Sequence, residues 1–183
     1  MSHVHHAYTG TVLSGRGNAR KHMEAEYAAF QEATGESLIQ GSLNLILSEP
    51  VFLNLETALE VSQGERLLWR AELSGLPVWV YRFPHAPLHV VEVLASVRLR
   101  DVLDLEDGAT VPLCLQQADV VKLSVRQRVA WFLLWKGRGS WSYHKDWYYL
   151  RTRSLSIDIG ATQRPSQQSM ILSLLRFVRR RFR

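Results

Sequence analysis

Seven short apolar runs, separated by glycine, proline or polar residues, follow one another between Tyr8 and Leu115, and they constrain the fold more than any other feature. They read YTGTVL, SLNLIL, VFLNL, RLLWRAEL, PVWVYRF, HVVEVLA and TVPLCL. Runs this short have the length of β-strands and are too brief for most helices of a protein core. Strands at such close spacing predict a mainly β domain, either a small barrel or a sandwich.

Two helical patterns interrupt the strands. In residues 22–34, Met23, Tyr27 and Phe30 recur at the spacing of one helix face, and Gly35 follows as a natural C-terminal stop. The stretch RLRDVLDLEDG predicts a second, shorter helix that ends at an Asp-Gly pair. We therefore expect short helices beside the barrel or sandwich.

Charge divides the chain near Gln117. The whole sequence has 22 Lys and Arg against 17 Asp and Glu, a net charge of +5. Residues 1–116 hold 8 basic and 14 acidic side chains, a net of −6, whereas residues 117–183 hold 14 and 3, a net of +11. This asymmetry predicts two parts: a barrel domain over residues 7–116 and a basic, aromatic-rich C-terminal extension over 117–183.

The extension is predicted to be largely helical. The piece ADVVKLSVRQRVAWFLLWKG has a helical pattern, and its run Val129 to Trp135 is too short to cross a membrane. The aromatic stretch GSWSYHKDWYYL follows, and a last helix begins near Ser166. Its positive charge predicts an anionic partner, such as a membrane surface. Nucleic acid is less favoured, because no recognised RNA-binding signature is present.

The N-terminus, the lengths of the apolar runs and the single cysteine predict a cytoplasmic location. The start MSHVHHAYTG lacks the pattern of a signal peptide, and no apolar run approaches the roughly 18 residues of a membrane span. The single cysteine, Cys114, stands in an apolar run, which predicts a packed core thiol rather than a disulfide. We expect a cytoplasmic protein, free or peripheral at the membrane.

The loop GRGNAR after the first apolar run is a candidate anion site. Gly15 and Gly17 can adopt backbone angles that point successive amides into one concavity, and Arg16 and Arg20 add positive charge. The loop lacks both the Lys-hydroxyl pair of a Walker loop and the third glycine of a dinucleotide fingerprint. Taken alone, it is also compatible with a plain strand-to-helix connection.

Two later stretches offer oxygen ligands and a carboxylate. On an extended strand, Ser42 and Asn44 face one way while Leu43 and Leu45 face the core. Two such oxygens suit Mg²⁺, although a half-buried strand with a polar outer face has the same pattern. Glu92 interrupts an apolar strand, where a carboxylate needs a partner or a task unless alternation turns it outward.

Four motifs in order resemble the CTP-dependent riboflavin kinases found chiefly in archaea. They are SGRGNAR, GSLN, EVLASVRLR and LEDGATV, and the resemblance spans Tyr8 to Leu115. It implies a six-stranded cradle-loop barrel of Greek-key type with short helices. It also implies transfer of the terminal phosphate of CTP to the 5′-hydroxyl of riboflavin, which gives FMN and CDP.

By matching position, the resemblance implies the site residues. Ser42 and Asn44 would hold Mg²⁺, and Glu92 would contact the flavin and orient or deprotonate its hydroxyl. Nucleotide-binding residues would be Gly15, Arg16, Gly17, Asn18, Ala19 and Arg20 at the phosphates, and Val97, Arg98, Leu99 and Arg100 at the cytidine.

A second hypothesis stays open beside the kinase. The loop reads Gly-Asn-Ala-Arg where the family has Gly-Glu-Gly-Arg. This difference favours a catalytically impaired module that binds a flavin or cytidine nucleotide as a sensor or accessory subunit. A third hypothesis makes the chain an adaptor that binds an anionic partner through its extension.

Overall fold

The computed structural model describes residues 5–15, 18–61, 66–82, 87–134 and 136. Within its helices, residues 18–22, 126, 130 and 134 are described by their backbone alone. The predicted aromatic stretch and the helix expected from Ser166 lie outside the described residues.

The described residues form nine strands, three α-helices and two 3₁₀ helices, the last at Leu55–Thr57 and Gln117–Asp119. The strands are β1 His5–Leu13, β2 Leu43–Leu47, β3 Phe52–Leu53, β4 Leu59–Val61, β5 Arg66–Leu73, β6 Leu76–Arg82, β7 Val90–Leu94, β8 Thr110–Gln116 and β9 Val120–Val121. The helices are α1 Asn18–Thr34, α2 Leu99–Val102 and α3 Val125–Leu134.

Six antiparallel strands close into a barrel in the order β5, β6, β7, β2, β1 and β8. Pairing of β8 back to β5, with Leu115 opposite Ala71 and Leu113 opposite Leu73, completes the ring. Strand β4 pairs with the first half of β5, beside the stretch that meets β8. The prediction of a mainly β domain built on a barrel is confirmed.

Alternating side chains fill the barrel. Leu45, Leu73, Leu113 and Leu115 are fully buried there, each with no measurable exposure. Trp69 is also in this core, and its indole nitrogen donates to the Asn54 carbonyl oxygen at 2.8 Å. Burying one large apolar side chain contributes about 1.5–3 kcal/mol, so this interior supplies most of the driving force for folding.

Helix α1 covers the outer face of the barrel. Met23 and Phe30 pack against a second apolar cluster that includes Leu68, Trp79 and Leu94. The helix is bent at Glu26, whose backbone angles are not helical (φ −116°, ψ 15°). Outer-face side chains of β6 and β7 are therefore buried as well as the inner ones.

The strands and the two short helices agree with the sequence expectations apart from four differences. The second helix was expected to end at Asp107 and Gly108, but α2 ends at Val102 and its C-cap is Leu103. All seven apolar runs contain strands, but the short strands β4 and β9 were not anticipated. Helix α1 begins at Asn18, four residues before the expected start at 22. The expectation for Cys114 was wrong: it is half-buried on the outer face, because its neighbours Leu113 and Leu115 point into the core.

Residues after Gln116 contact the barrel domain. Strand β9 pairs with β3, where Val120 stands opposite Leu53, and the Asn54 amide donates to the Asp119 carbonyl oxygen at 2.8 Å. Helix α3 falls within the predicted helical piece, and its Trp131 ring meets His89 edge to face at 6.0 Å.

In the part of the chain that the structure describes, every helix is too short or too polar to cross a membrane.

Candidate functional site

Strands β2 and β7 bring three of the predicted site residues together. Asn44 stands directly opposite Glu92 in the antiparallel register. The neighbours Leu43, Leu45, Val91 and Val93 belong to the inner core, so Asn44 and Glu92 point to the outer face. The Ser42 hydroxyl donates to Oε2 of Glu92 at 2.5 Å. Residues 50 positions apart in sequence thus form one polar group.

Glu92 points outward, yet it is only 9% exposed. Tyr81 lies on β6 directly opposite Glu92, and it belongs to the apolar cluster beneath α1. Burial raises the pKa of the Glu92 carboxyl, and the hydrogen bond from Ser42 partly opposes that shift. Burial also raises the pKa of Tyr81 to about 12, and the nearby Glu92 charge adds to this. A carboxylate whose pKa is raised by burial is a stronger base than an exposed one.

Gly15 lies directly against Asn44. A Cβ added at Gly15 would be 2.5 Å from Nδ2 of Asn44, a distance that real Cβ atoms essentially never show. The backbone of Gly15 is not in the left-handed region. We expected special backbone angles there. The structure shows instead that close approach to Asn44 is what excludes a side chain.

The remaining residues of the predicted loop divide into two sets. Asn18, Ala19 and Arg20 lie in the first turn of α1, so this part of the motif is helical rather than looped. Arg16 and Gly17 lie outside the described residues. The described part of the motif therefore consists of Gly15 beside Asn44, followed by the start of a helix.

A cleft of about 240 Å³ joins Ser42 to the segment expected at the cytidine. Its lining includes Ser42, Val97, Arg98, Leu99 and Arg100. Leu99 is buried in the barrel core and anchors this segment, whereas Val97 is 43% exposed. Ser42, one of the predicted metal ligands, thus shares a cavity with the segment predicted at the cytidine.

Asp107 connects this segment to the glycine motif. Its Oδ1 accepts from the Arg100 guanidinium at 2.6 Å, and its Oδ2 accepts from the Ser14 amide at 3.0 Å. Hydrogen bonding by Ser14, and then by Arg100, lowers the pKa of Asp107. From the sequence, the Asp-Gly pair was expected at the end of a helix and within the motif LEDGATV, and no role was assigned to Asp107. The sequence feature that could have indicated this role is an aspartate directly before a glycine, seven residues after Arg100.

The donor set at Ser42 and Asn44 fits Mg²⁺. No group of three or more His, Cys, Asp and Glu side chains suited to a metal occurs in the described ranges. Magnesium, however, takes hard oxygen ligands and often only one or two from the protein. The Ser42 hydroxyl retains lone pairs while it donates to Glu92, and Asn44, two residues further along the chain and opposite Glu92, carries an amide oxygen.

Arg82 and His89 are buried and serve the fold. The Arg82 guanidinium donates to the carbonyl oxygens of Val51 at 2.9 Å and Leu88 at 2.6 Å. Burial, and then the Arg82 charge, lowers the pKa of His89 to about 3, so its imidazole is neutral. Arg82 thus bonds backbone carbonyl oxygens, and the His89 ring packs against that of Trp131.

Comparison with known proteins adds no family. No family model matches the chain, and no curated protein matches it significantly.

Proposed function

We propose that this protein is a CTP-dependent riboflavin kinase, which transfers the terminal phosphate of CTP to the riboflavin 5′-hydroxyl. One observation carries the proposal: motifs that follow one another over about 90 residues of sequence converge on one side of the barrel. Gly15 contacts Asn44, Asn44 pairs with Glu92, and Glu92 bonds Ser42 at the wall of the cleft.

Ser42 and Asn44 have the role of holding Mg²⁺ with the phosphates of CTP. When bound, Mg²⁺ neutralises charge on the phosphate oxygens. Phosphoryl transfer requires mainly alignment and charge neutralisation, so a sparse site is sufficient. The first turn of α1, which begins at Asn18, adds backbone amides and a helix dipole that favour an anion.

Glu92 has the role of proton acceptor. As the riboflavin 5′-oxygen bonds to the terminal phosphorus, the bond from that phosphorus to the bridging oxygen of CTP breaks, and CDP leaves. The hydroxyl proton moves to Glu92, whose raised pKa makes it a competent base. The bond from Ser42 fixes the orientation of the carboxylate.

The segment of residues 97–100 has the role of cytidine recognition. It lines the same cleft as Ser42, so a nucleotide whose base lies there can direct its phosphates toward Ser42 and Asn44. Val97 is 43% exposed and is therefore accessible to a base that enters the cleft.

Calorimetric titration of MgCTP and riboflavin, combined with single-turnover kinetics, tests this assignment. We expect Asn44→Ala to weaken MgCTP binding, and Glu92→Gln to retain it while slowing transfer by about 10²–10⁴-fold. Glu72→Gln, at an exposed site on β5, is the matched control and keeps the wild-type rate. Binding of flavin and nucleotide without any transfer would favour the alternative of an impaired binding module. Normal turnover of both site variants contradicts the assignment.

A second activity, membrane docking, is favoured by helix α3. Val125, Val129, Phe132 and Leu133 lie on one helix face and are all at least half exposed. Lys136 stands 4.8 Å above the Phe132 ring at the end of this face. Together with the net charge of +11 over residues 117–183, this stripe fits an anionic lipid surface.

A further inference from the structure

We infer that Asp107 is a positioning residue that couples phosphate binding to cytidine binding. This inference rests on the proposed function and adds to it a residue outside the predicted site. Asp107 touches neither Ser42 nor Glu92 in the contacts described above. Its place is between the cleft and the glycine motif.

The two oxygens of Asp107 have separate partners. Oδ1 accepts from Nη2 of Arg100 at 2.6 Å, while Nη1 of the same guanidinium reaches the Leu105 carbonyl oxygen at 3.4 Å. Oδ2 accepts from the Ser14 backbone amide at 3.0 Å. One carboxylate therefore sets both the direction of Arg100 at the cleft and the path of the chain that enters the glycine motif.

The turn that carries Asp107 is fixed to β1. The Gly108 amide donates to the Val12 carbonyl oxygen at 2.8 Å, and the Val12 amide donates to the Ala109 carbonyl oxygen at 2.8 Å. Gly108 has φ +93°, a conformation that favours glycine and makes the tight return possible. The carboxylate is thus held by a defined turn.

A continuous set of contacts runs from the cleft to the polar group. Arg100 meets Asp107, Asp107 meets the Ser14 amide, and Gly15 follows Ser14 and lies against Asn44. A nucleotide that engages Arg100 at its base and Asn44 at its phosphates contacts both ends of this set. Binding at one end then stabilises the arrangement that the other end requires.

The contacts of Asp107 contribute little to the stability of the fold. Side chains of Arg100 and Asp107 are 37% and 47% exposed. Exposed ion pairs contribute little to folding. The short distance and the two-sided bonding therefore suit a positional role better than a stabilising one.

Titrations of cytidine and of MgCTP, compared in wild type and Asp107→Ala, test the coupling. We expect the variant to lose some cytidine affinity, because Arg100 loses its acceptor, and to lose more MgCTP affinity, so that the ratio of MgCTP to cytidine affinity falls about fivefold or more. Asp107→Asn keeps an acceptor for the Ser14 amide but loses the charge opposite Arg100, so it should recover part of the ratio. Glu106→Ala, which removes the same charge from the same turn, should keep the wild-type ratio.

Two results overturn the inference, and they differ from failure of the kinase. If wild type binds MgCTP and Asp107→Ala keeps the full ratio, Asp107 has no coupling role. An equal loss of cytidine and MgCTP affinity would show a local structural defect instead. If wild type binds no cytidine nucleotide, the proposed function itself fails. Should Asp107→Ala not fold, Asp107→Asn against Glu106→Gln carries the same comparison.

Discussion

Replacing Gly15 by alanine tests the contact at the centre of the site. The new Cβ would lie 2.5 Å from Nδ2 of Asn44, which is itself only 6% exposed. An ordinary contact requires roughly 3.5–4.0 Å, so one of the two groups must move by about 1 Å. The backbone at Gly15 is not left-handed, so the contact with Asn44, rather than a left-handed backbone conformation, opposes the added methyl group.

The expected loss is modest for the fold and large for turnover. Inserting a methyl group into a packed position costs about 1–3 kcal/mol. For a chain of this size that lowers the melting temperature by about 2–12 °C. Misplacing a site residue by about 1 Å can reduce turnover by about 100-fold. Calorimetric melting and FMN formation from riboflavin and MgCTP measure the two effects separately.

Two variants isolate the cause. Gly75→Ala, at a hairpin glycine with φ +83° and no atom within 4 Å, strains the backbone away from the site and should lower stability while sparing turnover. In an Asn44→Ala background, Gly15→Ala should cost less than about 0.5 kcal/mol, because the clashing amide is gone. Turnover should remain low in the double variant. The reasoning is refuted if Gly15→Ala turns over like wild type, or if Asn44→Ala relieves none of its destabilisation.

Three further predictions follow from burial and charge. Burial raises the pKa of Glu92, so its stabilising effect is present below about pH 4.3 and is lost as pH rises through the folded pKa. Glu92→Gln should therefore melt higher than wild type at about pH 8, with the gap closing near pH 4; a gap independent of pH contradicts this. Burial lowers the pKa of His89 to about 3, so the contribution of the neutral imidazole to stability is present above about pH 6.5 and is lost as pH falls. The variant His89→Gln should therefore lose less stability than wild type between about pH 7 and pH 4. Replacing exposed Phe132 and Leu133 together by serine should reduce sedimentation of the protein with anionic vesicles. Binding of the wild-type protein to these vesicles should weaken as the salt concentration rises. Equal binding to neutral vesicles would argue against an anionic lipid surface as the partner.

The fold could be predicted well because its signal is local. Each apolar run has the length of a strand, and the side that Leu43, Leu45, Val91 and Val93 take follows from the alternation of side chains about the polar residues Asn44 and Glu92. Closure of the barrel between β5 and β8 could not be predicted by this means, since it depends on contacts about 40 residues apart. The strands β4 and β9, of three and two residues, are too short to leave a periodic pattern.

Prediction of the site was partial for a similar reason. The alternation on β2 and β7 indicated that Ser42, Asn44 and Glu92 would be polar outer-face residues. It gave no indication that Glu92 would be buried beside Tyr81 or that burial would raise the pKa of its carboxyl, because that depends on tertiary packing. The hydrogen bonds of Asp107 to Ser14 and Arg100 could not be predicted from the sequence either, since the turn must fold back onto β1 before they form.

The reason for a glycine at position 15 also required the structure. Sequence suggests conformational freedom as the usual explanation for a Gly-rich loop. The neighbour that excludes a side chain, Asn44, is 29 residues away and meets Gly15 only once β1 and β2 have paired.

A direct turnover assay tests the central claim. Purified full-length protein is given riboflavin and Mg²⁺ with either CTP or ATP, FMN is separated from riboflavin, and the released nucleoside diphosphate is measured. The kinase assignment predicts FMN and CDP in equal amounts with CTP, and no FMN with ATP. Folded protein that forms no FMN with CTP would contradict it.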